Sequence, residues 1–445
     1  MNSLKQKRVE VVILGGGVAA SATAIALSAS GIHALLLVRR DRTPAMAEAI
    51  PTTAIPLFHA LGVGNLVAQI ATVGRGLENR WDPADSIRRD DHFLLVDRAA
   101  LAATLLREAQ LRGAVVENIS TAPAISQTCQ GVIVTAMHKS REFDYAIDAT
   151  GRAAVWSRPV QRIWHLVADI FEASSTDQVP ALALRRYGMG WAYRIRLANV
   201  ATIGVLRPRQ QRQGVFPQQL ADDFQLGNAG IRWKGRRAAF VQWPRRAVEQ
   251  RLWAVGDAAL AHDPLSGQGV RFALSCAIAI AAAIRTWRRS MADAPLATQF
   301  YEEFVATERD RHCALLQTLY GSQFDFTAVR NRAAIKPSEE ETLYPQLPPR
   351  APMKEPQAIR FNAKVEAAPL QIDGFIERGE VIRLPDGGAV RWIGGFDLIR
   401  LRDMARHPIP FPQLIERLST EGVEAARSRA LLHWCCAKGI LTSEL

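Results

Sequence analysis

Six residues near the N-terminus, Gly15-Gly16-Gly17-Val18-Ala19-Ala20, follow a short β-branched run and open an Ala-rich segment. No other feature restricts the fold as much. In the pattern G-x-G-x-x-[G/A] the first glycine permits a tight turn, the second lets the backbone approach a pyrophosphate, and the small last residue lets helix and strand pack closely. The periodicity predicts a strand over 9–14, a helix over 18–30 stopped by Gly31, and a buried strand over 34–38. That is a βαβ unit whose helix start faces an anion. Gly15, Gly17, Val18, Ala19 and Ala20 are therefore expected to hold a dinucleotide. The second strand ends in Val38-Arg39-Arg40-Asp41, where a ribose-binding carboxylate would be expected. Arg39 and Arg40 can instead stack on adenine or pair with a phosphate.

At 445 residues the chain is long enough for two or three domains of roughly 100–200 residues. Its 48% hydrophobic and 22% charged content excludes a disordered or disulfide-stapled class. A helix is predicted over 97–111 and a short strand over 145–149. From about 155 to 245, the short runs WHLVADIF, WAYRIRL, ATIGVL and AAFVQW predict a mostly antiparallel sheet, crossed by the Gln-rich stretch QRQGVFPQQLADDF. A buried strand over 252–255 and helices over 270–289 and 296–322 follow. The Pro- and charge-rich stretch 336–358 reads as a linker. Beyond it a hairpin, GEVIRL-PDGG-AVRWI, with Asp-Gly in its turn, precedes three short helices. The domains expected are thus 1–154 with 246–335, then 155–245, the linker, and 359–445. No internal repeat is apparent.

A second Gly-rich segment, Gly256-Asp257-Ala258-Ala259 through His262-Asp263-Pro264-Leu265-Ser266-Gly267-Gln268-Gly269-Val270, feeds another apolar helix. Its helix dipole suits an electron-rich group such as a reduced flavin. The segment resembles the G-D-A-A…D-P-x-x-G-x-G block of FAD-dependent monooxygenases of the p-hydroxybenzoate hydroxylase fold, a superfamily that includes tryptophan halogenases. Val96-Asp97-Arg98 looks like the helix start whose arginine reaches FAD, and Asp148-Ala149-Thr150-Gly151-Arg152 looks like the D-A-T-G block. The resemblance implies an α/β fold: a Rossmann-type FAD-binding domain with an antiparallel substrate sheet. It implies FAD contacts from Arg98, Gly256, Asp257, Pro264, Gly267, Gln268, Gly269 and Val270. NAD(P)H and O₂ would be co-substrates, and a flavin hydroperoxide the oxidant of an electron-rich arene. No second G-x-G-x-x-G follows for NAD(P)H.

The halogenases carry a lysine between the first two FAD blocks and a W-x-W-x-I-P segment. Here no lysine lies between Lys7 and Lys139, and the nearest segment is Trp191-Ala192-Tyr193-Arg194-Ile195-Arg196. Hydroxylation remains. The C-terminal segment looks like a small winged-helix-type docking domain. Combined with the flavin blocks, it is similar to monooxygenases of tryptophylquinone biogenesis, which implies hydroxylation of a tryptophan side chain within a polypeptide. Candidate substrate-binding residues on the sheet are Trp164, His165, Trp191, Tyr193 and Trp243. His262 and Asp263, just before the flavin loop, could move a proton. A small-molecule hydroxylase, a halogenase-like enzyme or a reductase stays open, as does a nucleic-acid-binding flavoprotein. No metal site is expected.

Charge bears on the partner. The chain has 55 Lys/Arg against 43 Asp/Glu, a net charge of +12, and only eight of the cations are lysine. Residues 151–250 hold 16 cations against 6 acids, whereas 351–445 hold 13 against 12. A winged domain that reads nucleic acid should itself be basic, so the distribution points to an acidic protein or peptide partner for the middle sheet. Five cysteines without a C-x-x-C pair suit reduced thiols. With no secretory leader and its longest apolar run, 273–284, short of the roughly 20 residues that span a bilayer, the chain is expected in the cytoplasm and not in a membrane.

Overall fold

The computed structural model describes residues 9–39, 45–82, 85–136, 139–163, 165–175, 180–188, 190–209, 217–226, 230–320, 355–385, 388–393 and 396–444. The chain forms two compact units, one running through Ala281 and one holding Ala282–Gly321 with the C-terminal segment.

In the first unit the βαβ start is in place: strand Val11–Leu14, helix Val18–Ala29 and strand Ala34–Arg39, the strands parallel and in adjacent register. All four residues of the first strand are buried, as a strand covered on both faces requires. Around it lies a six-stranded sheet in the order Val248–Glu249, Leu252–Ala254, Tyr145–Asp148, Val11–Leu14, Ala34–Arg39, Val115–Ile119. On one face a three-stranded antiparallel sheet contributes Val132, Val134 and Phe143 to a core shared with Val12, Leu14, Leu35 and Leu37.

The second large sheet has eight strands: Arg232–Ala238, Leu166–Ser174, Val200–Pro208, Gly190–Leu197, Leu182–Tyr187, Thr72–Asp82, Asp85–Asp97, Ala47–Pro51. Pairing is antiparallel throughout except between Leu182–Tyr187 and Thr72–Asp82. Three of the eight strands come from residues 47–97, which the sequence boundaries placed with the nucleotide-binding segment. They lack the aromatic, branched runs that mark the middle strands; Asp85–Asp97 reads DSIRRDDHFLLVD and spreads its charges along one long strand. The helix Pro217–Asp223, from the Gln-rich crossing, leads into Phe224 and Leu226, which with Leu220 pack on Ala183, Ala192, Ile203 and Val205.

That packed face also receives arginines. Arg185 pairs with Glu78 at 2.9 Å, both side chains nearly sealed from solvent. Arg194 donates to the carbonyls of Phe224 (2.7 Å) and Pro180 (2.8 Å), and burial holds its pKa down at about 10. Both guanidinium groups lie over the Phe224 ring, at 5.3 and 6.0 Å. Part of the sheet's basic excess is therefore structural.

Helix Gly269–Arg289 is long and apolar enough to cross a membrane by length and composition, although the Ala-rich run inside it is short; 67% of the apolar window is buried inside the fold. In the second unit its last turns carry a β-hairpin. Thr286 Oγ1 accepts from Ile376 N at 2.7 Å, and Arg285 and Arg289 lie over Phe375 at 4.0 and 4.5 Å. The compact division falls here, inside a helix, because these contacts join the helix end to the C-terminal segment and not to the expected 246–335 block. The linker 336–358 lies outside the described residues up to 354. The hairpin pairs Lys364–Ile372 with Phe375–Arg383 through Asp373-Gly374, both at positive φ (48° and 78°), as a tight hairpin turn requires. The expected hairpin over 379–393 is a shorter addition, Ile382↔Val390 and Arg383↔Ala389, and its Asp386-Gly387 turn lies outside the described residues. Helices Ile399–Met404, Phe411–Thr420 and Ala425–Ala437 enclose Leu401, Phe411, Leu414, Leu418 and Leu432, and the first and last strands of the segment, Ala358–Phe361 and Leu441–Glu444, pair.

Candidate functional site

The first loop is shaped by what its glycines exclude. Gly15 has φ of 136°, and a Cβ there would stand 2.4 Å from the Ala149 carbonyl oxygen, so only glycine fits. A Cβ on Gly17 would meet nothing within 4 Å, so space lies open before the helix start. Gly17 caps the helix without a side-chain hydrogen bond. The first-turn N–H groups at Val18, Ala19 and Ala20 are the donors such a start presents.

The second loop abuts the first: a Cβ on Gly256 would come within 2.7 Å of the Ala19 Cβ. Asp257 Oδ2 lies 3.6 Å from Arg152 Nε. Arg152 also donates to the His262 carbonyl at 2.6 Å and to that of Phe240, while its own carbonyl accepts from Gln242 Nε2 at 2.8 Å. This arginine thus ties the flavin-type loops to the strand Val241–Pro244. Asp148, fully buried, accepts from Thr150 N (3.0 Å), Thr150 Oγ1 (2.6 Å), Trp156 N (2.7 Å) and Ser157 N (2.8 Å). It shapes the D-A-T-G turn and needs no ligand to justify its burial.

Asp263 is likewise committed to its loop. Its Oδ1 accepts from Leu265 N at 2.8 Å and caps the turn Pro264–Ser266, and its carbonyl accepts from Ser266 Oγ at 2.9 Å. Gly267 N–H donates to Pro264 O at 3.1 Å, and Gln268 N–H to Ser266 Oγ at 3.3 Å. The Gln268 side chain accepts from Arg271. Gly269 and Val270 begin the helix, and a Cβ on Gly269 would meet nothing within 4 Å. His262, 3% exposed, stands edge-on to Phe272 with centroids 4.9 Å apart.

A third group joins this region to the eight-stranded sheet. Asp97 caps helix Arg98–Leu111 by accepting from Ala100 N at 2.8 Å, which sets Arg98 at the strand–helix junction. Arg98 Nε lies 3.7 Å from Glu48 Oε2. Glu48 raises the arginine's pKa most, against the opposing effect of burial; Asp257 and Tyr193 add to the rise. Burial, then the Glu48 charge, holds the Tyr193 phenol above its ordinary range, so it stays neutral. Tyr193 faces Gly204 across the pair Gly190–Leu197 and Val200–Pro208; a Cβ on Gly204 would fall 2.2 Å from the tyrosine ring. Thr202 Oγ1, two residues along on the same side, accepts from Ala47 N at 3.0 Å and anchors the strand that carries Glu48. Trp191 stands 5.8 Å from Tyr193 and 6.4 Å from Trp81.

Tyr193, with Trp191 beside it, therefore lies within electrostatic reach of Arg98, as Asp257 does. Trp243 sits elsewhere, buried, with Nε1 donating to Gln161 at 2.8 Å. His165 is exposed near Phe240, 6.4 Å away, and Arg39 is exposed at its strand end. Trp164 and Arg40 lie outside the described residues. Sequence reasoning missed Glu48, Arg152 and Gln242. Arg152 was visible as the last residue of the D-A-T-G-R block, whereas Glu48 and Gln242 sit in runs with no motif.

No protein-family model matches the chain, and no curated protein sequence matches it. Solved structures do. One is the peptidyl tryptophan dihydroxylase QhpG, described as essential for tryptophylquinone cofactor biogenesis, at 21% identity and TM-score 0.65 over 97% of this chain and 99% of that one. A second is the flavin-dependent halogenase CmlS, at 18% identity and TM-score 0.75 over 98% of this chain and 96% of that one. A third is the myxobacterial chondrochloren halogenase CndH, at 19% identity and TM-score 0.61 over 72% of this chain and 84% of that one. The chain has the α/β fold of these FAD-dependent halogenases and monooxygenases. Its two glycine loops fit FAD: each leaves open space before a helix N-terminus, and Asp257 and Arg98 approach the same region.

Proposed function

We propose that this chain is an FAD-dependent monooxygenase that hydroxylates an aromatic side chain, a tryptophan, within a polypeptide during quinone cofactor formation. When bound, FAD would supply redox chemistry with NAD(P)H and O₂. Gly15, Gly17 and the helix start at Val18 would hold its pyrophosphate, Arg98 and Asp257 would bind along it, and Gly269 and Val270 would present N–H groups to the ring. The chain's own task is then to orient an arene and exclude water.

The observation that carries the reading is the placement of Tyr193 and Trp191 on one side of the sheet, within electrostatic reach of Arg98, which pairs with Glu48 at 3.7 Å. Trp191 is buried and backs the half-buried Tyr193, so an indole would pack against Tyr193, on the side that faces the cofactor loops. The neutral Tyr193 hydroxyl would donate or accept a hydrogen bond there without charge. Likeness to QhpG over nearly the whole chain supports a polypeptide substrate. Residues 359–445 would serve as the docking module.

A halogenase reading has its own support, the TM-score of 0.75 to CmlS. Against it stands the absence of any lysine between Lys7 and Lys139. The test is NAD(P)H oxidation by the FAD-loaded chain with free tryptophan and with tryptophan-containing polypeptides, followed by product mass. Oxygen added to the polypeptide is the expected result. Oxidation coupled only to the free amino acid would overturn it.

A further inference from the structure

The arginines on the packed face of the eight-stranded sheet are engaged within the fold, but its outer strand is different. Arg232–Ala238 is last in the sheet order and, among the described strands, pairs only with Leu166–Ser174. It carries Arg232, Lys234, Arg236 and Arg237, all exposed, and no acid. Trp233, between them, is 62% exposed. Two carboxylates lie beneath. Asp169 is shared by Arg236 (2.7 Å) and Arg207 (3.1 Å), and Glu172 by Arg232 (2.7 Å) and Lys234 (3.2 Å). Four cations thus meet two acids, and Arg237 adds a fifth positive charge, which leaves a surplus of three over the rim and the strands beside it.

Register fixes where this rim points. Tyr193 pairs with Gly204, Gly204 with Ile170, and Ile170 with Gly235; in the flanking rows Ala168 faces Arg237 and Glu172 faces Arg232. Arg232 and Arg237 therefore share the Tyr193 side of the sheet, and Lys234 reaches Glu172 on that side. Three strand steps, about 14 Å, separate the rim from the Tyr193 strand. A free aromatic amino acid is too short to touch both, while a polypeptide is not. The register shift opposite Ile170/Phe171 places an extra residue at Lys234. Such a bulge disfavours addition of a further strand, so recognition here falls to side chains.

We propose that the Arg232–Ala238 rim docks an acidic segment of the polypeptide substrate, with Lys234 and Arg237 as its main charge contacts; Trp233, paired with Phe171, lies on the other face of the sheet. This rests on the polypeptide reading above and specifies the flank such a substrate carries. Nucleic acid fits less well, because Asp169 and Glu172 lie within the strip and the C-terminal segment adds almost no net charge.

The test is fluorescence anisotropy of a labelled octaglutamate peptide with the full chain. Saturable binding is expected, weakening about tenfold as salt rises fourfold. The K234E/R237E variant should lose at least tenfold in affinity. R378E/R406E, the same charge change at exposed positions of the C-terminal unit, should stay within twofold of the parent. An equal loss in both variants would assign binding to bulk charge and overturn the proposal. So would failure to bind octaglutamate, or tighter binding of a single-stranded RNA that K234E/R237E abolishes. Free-tryptophan turnover is expected to be unchanged in K234E/R237E, so failure of the rim and failure of the hydroxylase reading are read separately.

Discussion

In the loops that follow the parallel strands, the positions proposed for the cofactor are Gly15, Gly17, Gly256 and Gly269, where an added Cβ would either collide with protein or stand in open space. Around the antiparallel sheet, the positions proposed for the substrate side are Glu48, Trp191 and Tyr193, next to Arg98, and there the side chain would be the working part. On that proposal the first region would bind through backbone donors and shape, and the second through packed rings and charge. Substitutions should accordingly fail in different ways: cofactor loss in the first, and loss of stability or of substrate handling with FAD retained in the second.

The largest effect is expected where the antiparallel sheet buries charge. Glu78→Ala removes the carboxylate that Arg185 faces at 2.9 Å. A buried guanidinium without its ion-pair partner should cost about 3–5 kcal/mol in denaturant unfolding. A change below about 1 kcal/mol would show that the carbonyls of Leu184 and Asp223, which Arg185 also donates to, suffice. Next comes Gly15→Ala. Strain at φ of 136° and a contact of 2.4 Å should together cost about 3 kcal/mol and leave the purified protein without flavin absorbance. Full FAD content in the Gly15→Ala variant would break the contrast between the sheets.

A smaller and more selective effect is expected at Glu48→Gln. It removes the carboxylate charge that stands 3.7 Å from Arg98 Nε, so substrate turnover should fall about tenfold with FAD content preserved. Equal loss of FAD and turnover would move Glu48 from the substrate side to the cofactor side. Tyr193→Phe should leave the alkaline limb of the activity profile unchanged below pH 10.0. The folded phenol titrates above that value, so its ionisation costs stability only at higher pH, where the unfolded chain would release the proton first.

How far the sequence could be read follows the same division. The loop around Gly15 and the block from Gly256 to Val270 were legible because backbone geometry dictates residue type at fixed spacing. The long strands over 72–97 were not, because their polar and charged residues disguise alternation; Glu78 and Asn79 are both buried despite being polar. Glu48 became visible only when Thr202 brought its strand to Tyr193, a contact of 155 residues' separation. Asp263, expected to move protons, is tied to its own turn, which pattern alone does not distinguish from catalysis. The overall charge misled in part, since Arg185, Arg194 and Arg207 lie inside the fold while Arg232–Arg237 face solvent.

Oxidation of an aromatic side chain of a polypeptide at the Tyr193 side of the sheet is the central claim. Its most direct test is peptide mapping by tandem mass spectrometry after the FAD-loaded chain acts, with NAD(P)H, on a tryptophan-containing acidic polypeptide under isotope-labelled dioxygen and with bromide present. The expected result is labelled oxygen on the tryptophan and no bromine. Bromine on the arene, or label confined to free tryptophan supplied as competitor, would contradict it.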